Sequence, residues 1–232
     1  MTVIGTLLLI VGASIAFKKI YCRILFWRKR REFVLNNKEY IDQLAKSDAQ
    51  YRPEEPDIEA ALRCREYLAE VFPDGISEKL RDMSKEEVAE LFREIVAKGQ
   101  EIMDVELENV DFYSTEEPPA CDYSGYYRHF DKSLHINMEF VFSGDPKLME
   151  AQVYTIFHEL KHARQWAAIK GWYCGSKDYG YSNEQIRIWA ENLQHYIPNW
   201  VSDELYRKQP VEDDAYGYVR LIRKSRQFGV LR

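Results

Sequence analysis

Between Ser84 and Met103, apolar residues recur at three- and four-residue intervals. Val88, Leu91, Phe92, Ile95, Val96 and Ile102 share one face, with charged residues between them. That period predicts an amphipathic helix, and Ser84 with Glu87 supplies a capping box for its start. Upstream, Ile58, Leu62, Leu68 and Val71 predict another helical stripe, ended by "PDG" at 73–75, so 54–103 is expected to be helical. The period then shortens. Residues 105–113 alternate enough for a strand, and from Tyr123 the chain reads as two strands joined by a polar turn. In the second of these, Leu134, Ile136, Met138 and Phe140 lie on one face, with His135, Asn137 and Glu139 on the other. After "SGDP" a long helix is expected over 146–169, with Asp145 as N-cap and Pro146 at its first position. A last helix is expected over 210–225, opened by Pro210.

The N-terminus follows a different pattern. Residues 1–17 contain no charged side chain, about the lower limit for crossing a bilayer. Seven basic residues and no acidic one follow between Lys18 and Arg31. Basic residues after the apolar run, not before it, argue against a cleaved signal peptide. The expectation is a transmembrane anchor over 1–31, N-terminus outside, followed by a polar helical connector over 32–53 and a cytoplasmic domain over 54–232. Net charge −6 and a sequence pI near 5.5 exclude nucleic acid as the main partner. Four dispersed cysteines (Cys22, Cys64, Cys121, Cys174) make no disulfide framework.

The long helix contains "TIFHELKHARQW", residues 155–166. With His158 at zero on a helical wheel, His162 falls at roughly 40° and Glu159 at roughly 100°. Val153, Ile156, Phe157, Leu160 and Ala163 gather on the opposite side. Two imidazoles one turn apart can converge on one zinc ion, with the glutamate beside its open position as general base. Only five histidines occur in the chain, and two sit at this spacing.

A catalytic zinc needs a third protein ligand. The metzincin pattern is absent, since Gln165 and Ala168 stand where its glycine and third histidine belong. Glu184, Glu191 and Glu212 remain as candidates. Glu212 has the best surroundings, in the acidic first turn of a helix where Ala215 permits close packing, and Asp213 or Asp214 could hold a histidine N–H from behind. "TIFHELKHARQW", "WAENLQHYI" and "YRKQPVEDDAYGYV" together resemble small bacterial and phage zincin-like proteins of the HExxH-plus-Glu (gluzincin) class, loosely similar to ImmA/IrrE-type metallopeptidases. The matching positions are Trp189, Asn192, Tyr196, Pro210, Glu212, Asp214 and Ala215 within residues 123–225. The resemblance implies Glu212 as third ligand.

The expected fold is therefore α+β: a zincin-like domain, mostly helical, with a small antiparallel sheet, plus the N-terminal anchor helix. Leu134–Phe140 is expected to be an edge strand along the cleft, with His135, Ile136 and Asn137 facing a peptide substrate. Tyr196, Tyr216 and Tyr218 are candidates for transition-state donors. His195 is expected to be structural. The expected activity is zinc-dependent peptide-bond hydrolysis, one zinc per chain on His158, His162 and Glu212, with Glu159 as base, on a peptide or protein near the membrane. The alternative is a zincin-fold binding or regulatory module at the membrane that cleaves nothing.

Overall fold

Ser84 and Glu87 do cap helix α5 (Lys85–Met103): the Ser84 hydroxyl accepts the Glu87 N–H and the Glu87 carboxylate accepts the Ser84 N–H. The six stripe residues of that helix are all buried. The structure, a computed structural model, describes residues 21, 23–47, 51–114 and 124–224. Its elements are α1 (residues 23–36), α2 (Lys38–Lys46), α3 (Glu55–Val71), α4 (Ile76–Arg81), α5, β1 (Asn109–Tyr113), β2 (Gly125–Arg128), β3 (Ser133–Asn137), α6 (Pro146–Cys174), α7 (Asn183–Gln194), α8 (Asp203–Lys208) and α9 (Pro210–Lys224). A 3-10 turn, Met138–Ser143, joins β3 to α6. The chain divides into two units: Met1–Ala49 with His195–Gln209, and Gln50–Gln194 with Pro210–Arg232.

In the first unit, Leu44 of α2 packs with Ile197 and Val201, and the Arg30 guanidinium donates twice to the Val201 carbonyl (3.0 and 2.7 Å). Residues 32–47 are thus part of a packed unit, where a connector was expected. The membrane anchor is corrected as well. No helix among the described residues is long and apolar enough to cross a membrane. Helix α1 carries Arg23, Arg28, Lys29, Arg30 and Arg31, and charges at that density are costly in hydrocarbon. The apolar run 1–17 lies outside the described residues. Single-pass placement with a cytoplasmic domain therefore has no support.

The second unit is built around α6. Asp145 caps it by accepting the Lys147 N–H (2.9 Å), Pro146 occupies its first turn, and Gly175 ends it at φ 62°. Its middle is buried all round, from Ile156 to Leu160 and from Ala163 to Gln165, because α5, α7, α9 and the sheet all pack on it. Two glycines let neighbouring elements come close to it. A Cβ on Gly99 of α5 would meet Leu160 Cδ1 at 2.4 Å, and one on Gly125 of β2 would meet Thr155 Cγ2 at 2.9 Å.

Three details differ from expectation. The sheet order is β1-β3-β2, with β1 parallel and β2 antiparallel to β3, so it is mixed where an antiparallel sheet was expected. The strand expected over 134–140 stops at Asn137, whose side chain accepts the Glu139 N–H (3.0 Å) and turns the backbone into the 3-10 segment. On α3 the buried face is Asp57, Ala60, Ala61, Cys64 and Leu68, while Ile58 and Leu62 face outward. Asp57 turns inward to pair with a buried lysine on α6, and Ala60 and Ala61 keep that face slim.

Candidate metal centre

Helices α6 and α9 bring together three groups that lie 54 residues apart in the chain, the separation between His158 and Glu212. The His158 and His162 Nε2 atoms are 3.2 Å apart; Glu212 Oε2 is 3.3 Å from the first and Oε1 3.5 Å from the second. All the ligand atoms of this set lie within 4.8 Å of one another. Four ligands at tetrahedral angles around zinc, at about 2.0–2.1 Å, stand roughly 3.3–3.4 Å from each other. Two imidazoles and a carboxylate at these separations therefore fit a zinc ion in both chemistry and spacing.

The charges of the set also act on one another's proton affinity. Burial works against protonation of His162, but Glu212 outweighs it and pushes His162 up to about 9. Burial alone would raise Glu212; the two histidines more than reverse that and hold its carboxyl well below the usual range. The start of α9 that carries Glu212 is set by Asn192 of α7, whose side-chain oxygen accepts the Val211 N–H (2.9 Å).

Glu159, beside the set on α6, is 7 % exposed, and its Oε2 accepts the Tyr127 N–H of β2 at 2.8 Å. In β2, an edge strand, this N–H lies on the side away from β3 and is free to reach α6. The assignment of His135, Ile136 and Asn137 to a substrate edge is corrected: β3 is the central strand, hydrogen-bonded on both sides, and all three residues are buried. Within the sheet, Ser133 Oγ lies 2.9 Å from His135 Nε2, and His135 Nδ1 3.2 Å from Asp111 Oδ2, in the order of a Ser–His–Asp triad. Ser133 is 1 % exposed and its hydroxyl donates to Asp131 (2.7 Å), so it is shut off from any substrate.

Asp214 touches neither histidine. Its carboxylate accepts from the Gln165 amide and lies 3.2 Å from Lys161 Nζ. Gln165 in turn meets His162 Nδ1 at 2.9 Å. Lys161, fully buried, donates to Asp57 Oδ1 (2.6 Å) and to the Tyr181 hydroxyl (3.2 Å), and sits over the Trp189 ring. Burial lowers the Lys161 proton affinity, yet Asp214 and Asp57 together raise it well above the ordinary lysine value. Burial also pushes Asp214 up, to about 6.

Of the tyrosine candidates, Tyr216 packs against His158, ring centroids 4.5 Å apart. Tyr218 points to the other side of α9, buried against Cys64 Sγ at 3.4 Å. Tyr196 belongs to the first unit, edge-on to Tyr206, and His195 stacks on Tyr40 there. Glu184 and Glu191 are exposed on α7. Gln165, Lys161, Asp57 and Tyr127 were not singled out from sequence. The available signals were a lysine close to the packed side of the motif helix and a glutamine near the angle of His158 on the wheel. A cavity of about 660 Å³ at the outer edge of β1, lined by Lys85, Arg93, Phe112, Met138, Glu139 and Phe142 among others, contains none of the metal-centre residues.

Comparison with protein-family models, with curated proteins and with solved structures found no match.

Proposed function

We propose that this chain is a zinc-dependent metallopeptidase of the HExxH-plus-Glu kind. The reading is carried by one observation: His158, His162 and Glu212 converge at tetrahedral-edge distances, with a carboxylate, Glu159, one residue from the first ligand. The resemblance of these segments to zincin-like proteins points the same way. His158, His162 and Glu212 would hold the ion, which when bound supplies a Lewis acid for a carbonyl and a lowered pKa for water. Glu159 accepts a proton from the attacking water and returns it to the leaving amine. The Tyr127 N–H holds that carboxylate in place while leaving its other oxygen for the proton. Tyr216, whose ring packs against His158, would be the tyrosine that donates to a developing oxyanion. The substrate is a peptide or protein.

The test is elemental analysis of the purified full chain, followed by incubation with a mixed peptide library and mass detection of products. One zinc per chain and cleavage that stops with chelator are expected. A chain that takes up no zinc when offered it sinks the reading. Zinc without cleavage, under every peptide condition tried, would leave a binding module of the same fold.

A further inference from the structure

We propose that Gln165 is a positioning residue for the metal centre: held by Asp214 and the Val211 carbonyl, it fixes the His162 ring so that Nε2 presents its lone pair to the cation. The inference rests on the metallopeptidase reading and deepens it.

The reasoning starts from what each partner can do. The Gln165 side chain meets three groups: His162 Nδ1 at 2.9 Å, the Val211 carbonyl at 2.9 Å, and the Asp214 carboxylate. A carbonyl and a carboxylate only accept hydrogen bonds, whereas a primary amide has two N–H donors on one end and an acceptor on the other. Both donors are therefore used on α9, and the amide oxygen is turned to His162. Reversing the amide would set its oxygen against two other acceptors in a buried site, where such contacts are most costly. Gln165 is 1 % exposed, so water cannot relieve them.

His162 Nδ1 faces an acceptor and must carry the proton. In the neutral ring this leaves Nε2 bare, and Nε2 is the atom aimed at His158 and Glu212. One amide thus selects the tautomer that a cation needs and ties α9, which supplies Glu212, to the helix that supplies both histidines. Asp214 is held in turn by Lys161, and Lys161 by Asp57, so the support reaches back to α3. Asp214 acts on the histidine through the glutamine.

The test measures zinc affinity of the full chain by competition with a chromophoric chelator, with far-UV circular dichroism of each metal-free variant beside it. Gln165→Met removes the acceptor at similar size, and zinc binding should weaken about 10–100-fold with the helical signal kept. Gln165→Glu combined with Asp214→Asn transposes the polarity: the carboxylate accepts from Nδ1–H, and the asparagine amide donates to the carboxylate. The Val211 carbonyl then loses its donor, and Lys161 keeps Asp57 but loses the Asp214 carboxylate. Both losses lie behind the Nδ1 contact, so binding should return to within about 5-fold of the unmutated chain. A merely structural glutamine would give no such recovery.

A folded Gln165→Met variant that binds zinc as tightly as the unmutated chain overturns the inference and leaves the metallopeptidase reading standing. If Gln165→Met does not fold, the transposed pair decides: recovered affinity supports the inference and weak binding overturns it. An unmutated chain that binds no zinc removes both.

Discussion

The backbone N–H of Tyr127 donates to the carboxylate of Glu159 at 2.8 Å, joining the edge strand of the sheet to the middle of the motif helix. A glutamine at 159 can offer its amide oxygen to the same N–H. Glu159→Gln should therefore change thermal stability by less than about 1 kcal/mol and leave zinc content unchanged. Peptide hydrolysis should fall by a factor of roughly 10²–10⁴, the usual contribution of a general base. Unimpaired hydrolysis in this variant would remove Glu159 from the mechanism.

Glu212 is the carboxylate between the two histidines, while Glu184 and Glu191 stand in solvent on α7. Glu212→Ala should leave the purified chain with well under one zinc, measured by elemental analysis, whereas Glu191→Ala should keep its full content. The reverse result would move the third ligand to α7.

Metal-free protein should lose stability in alkali. His162 is pushed from its ordinary 6.5 up to about 9 in the folded state, so folding favours the protonated ring. That contribution is complete below pH 6.5 and disappears as pH rises through 9; it amounts to on the order of 3 kcal/mol. Thermal unfolding with chelator at pH 6.5, 8 and 9.5 should show the fall. Zinc displaces the proton, so zinc-loaded protein should not show it, and zinc affinity should climb over the same range. A flat profile in chelator would mean that His162 carries no such proton.

Lys161→Met strands Asp57 and Asp214 in the interior without their cation. A loss of about 3–5 kcal/mol is expected by denaturant unfolding. Lys98→Met, which breaks an exposed pair with Glu101, should cost less than about 1 kcal/mol. Similar effects for the two would contradict the buried network.

Where one physical signal dominated, the sequence was legible. Helix α5 follows a clean apolar stripe and a capping box, and α6 and α9 begin at prolines with polar residues beside them. The two histidines and Glu159 could be read because one helix carries all three at a fixed spacing. Glu212 needed surroundings and resemblance, since nothing local states which of three glutamates will meet α6. Long-range pairings left no trace. Residues 134–137 have the same alternation in a central strand as in an edge strand, and only the parallel partner β1 makes β3 central. Similarly, α3 turns its less apolar face inward because of Asp57, whose partner lies 104 residues away. Gln165 is invisible for the same reason: its meaning depends on which two acceptors of α9 face it.

The order in which the chain is made bears on the metal centre. A nascent polypeptide exposes Glu159 and both histidines long before α9 leaves the ribosome, yet the carboxylate that completes the set arrives only with that helix. Until then the two imidazoles lack the third protein ligand that a catalytic zinc site uses. On the proposed reading, hydrolytic competence would therefore wait for α9 to dock on α6.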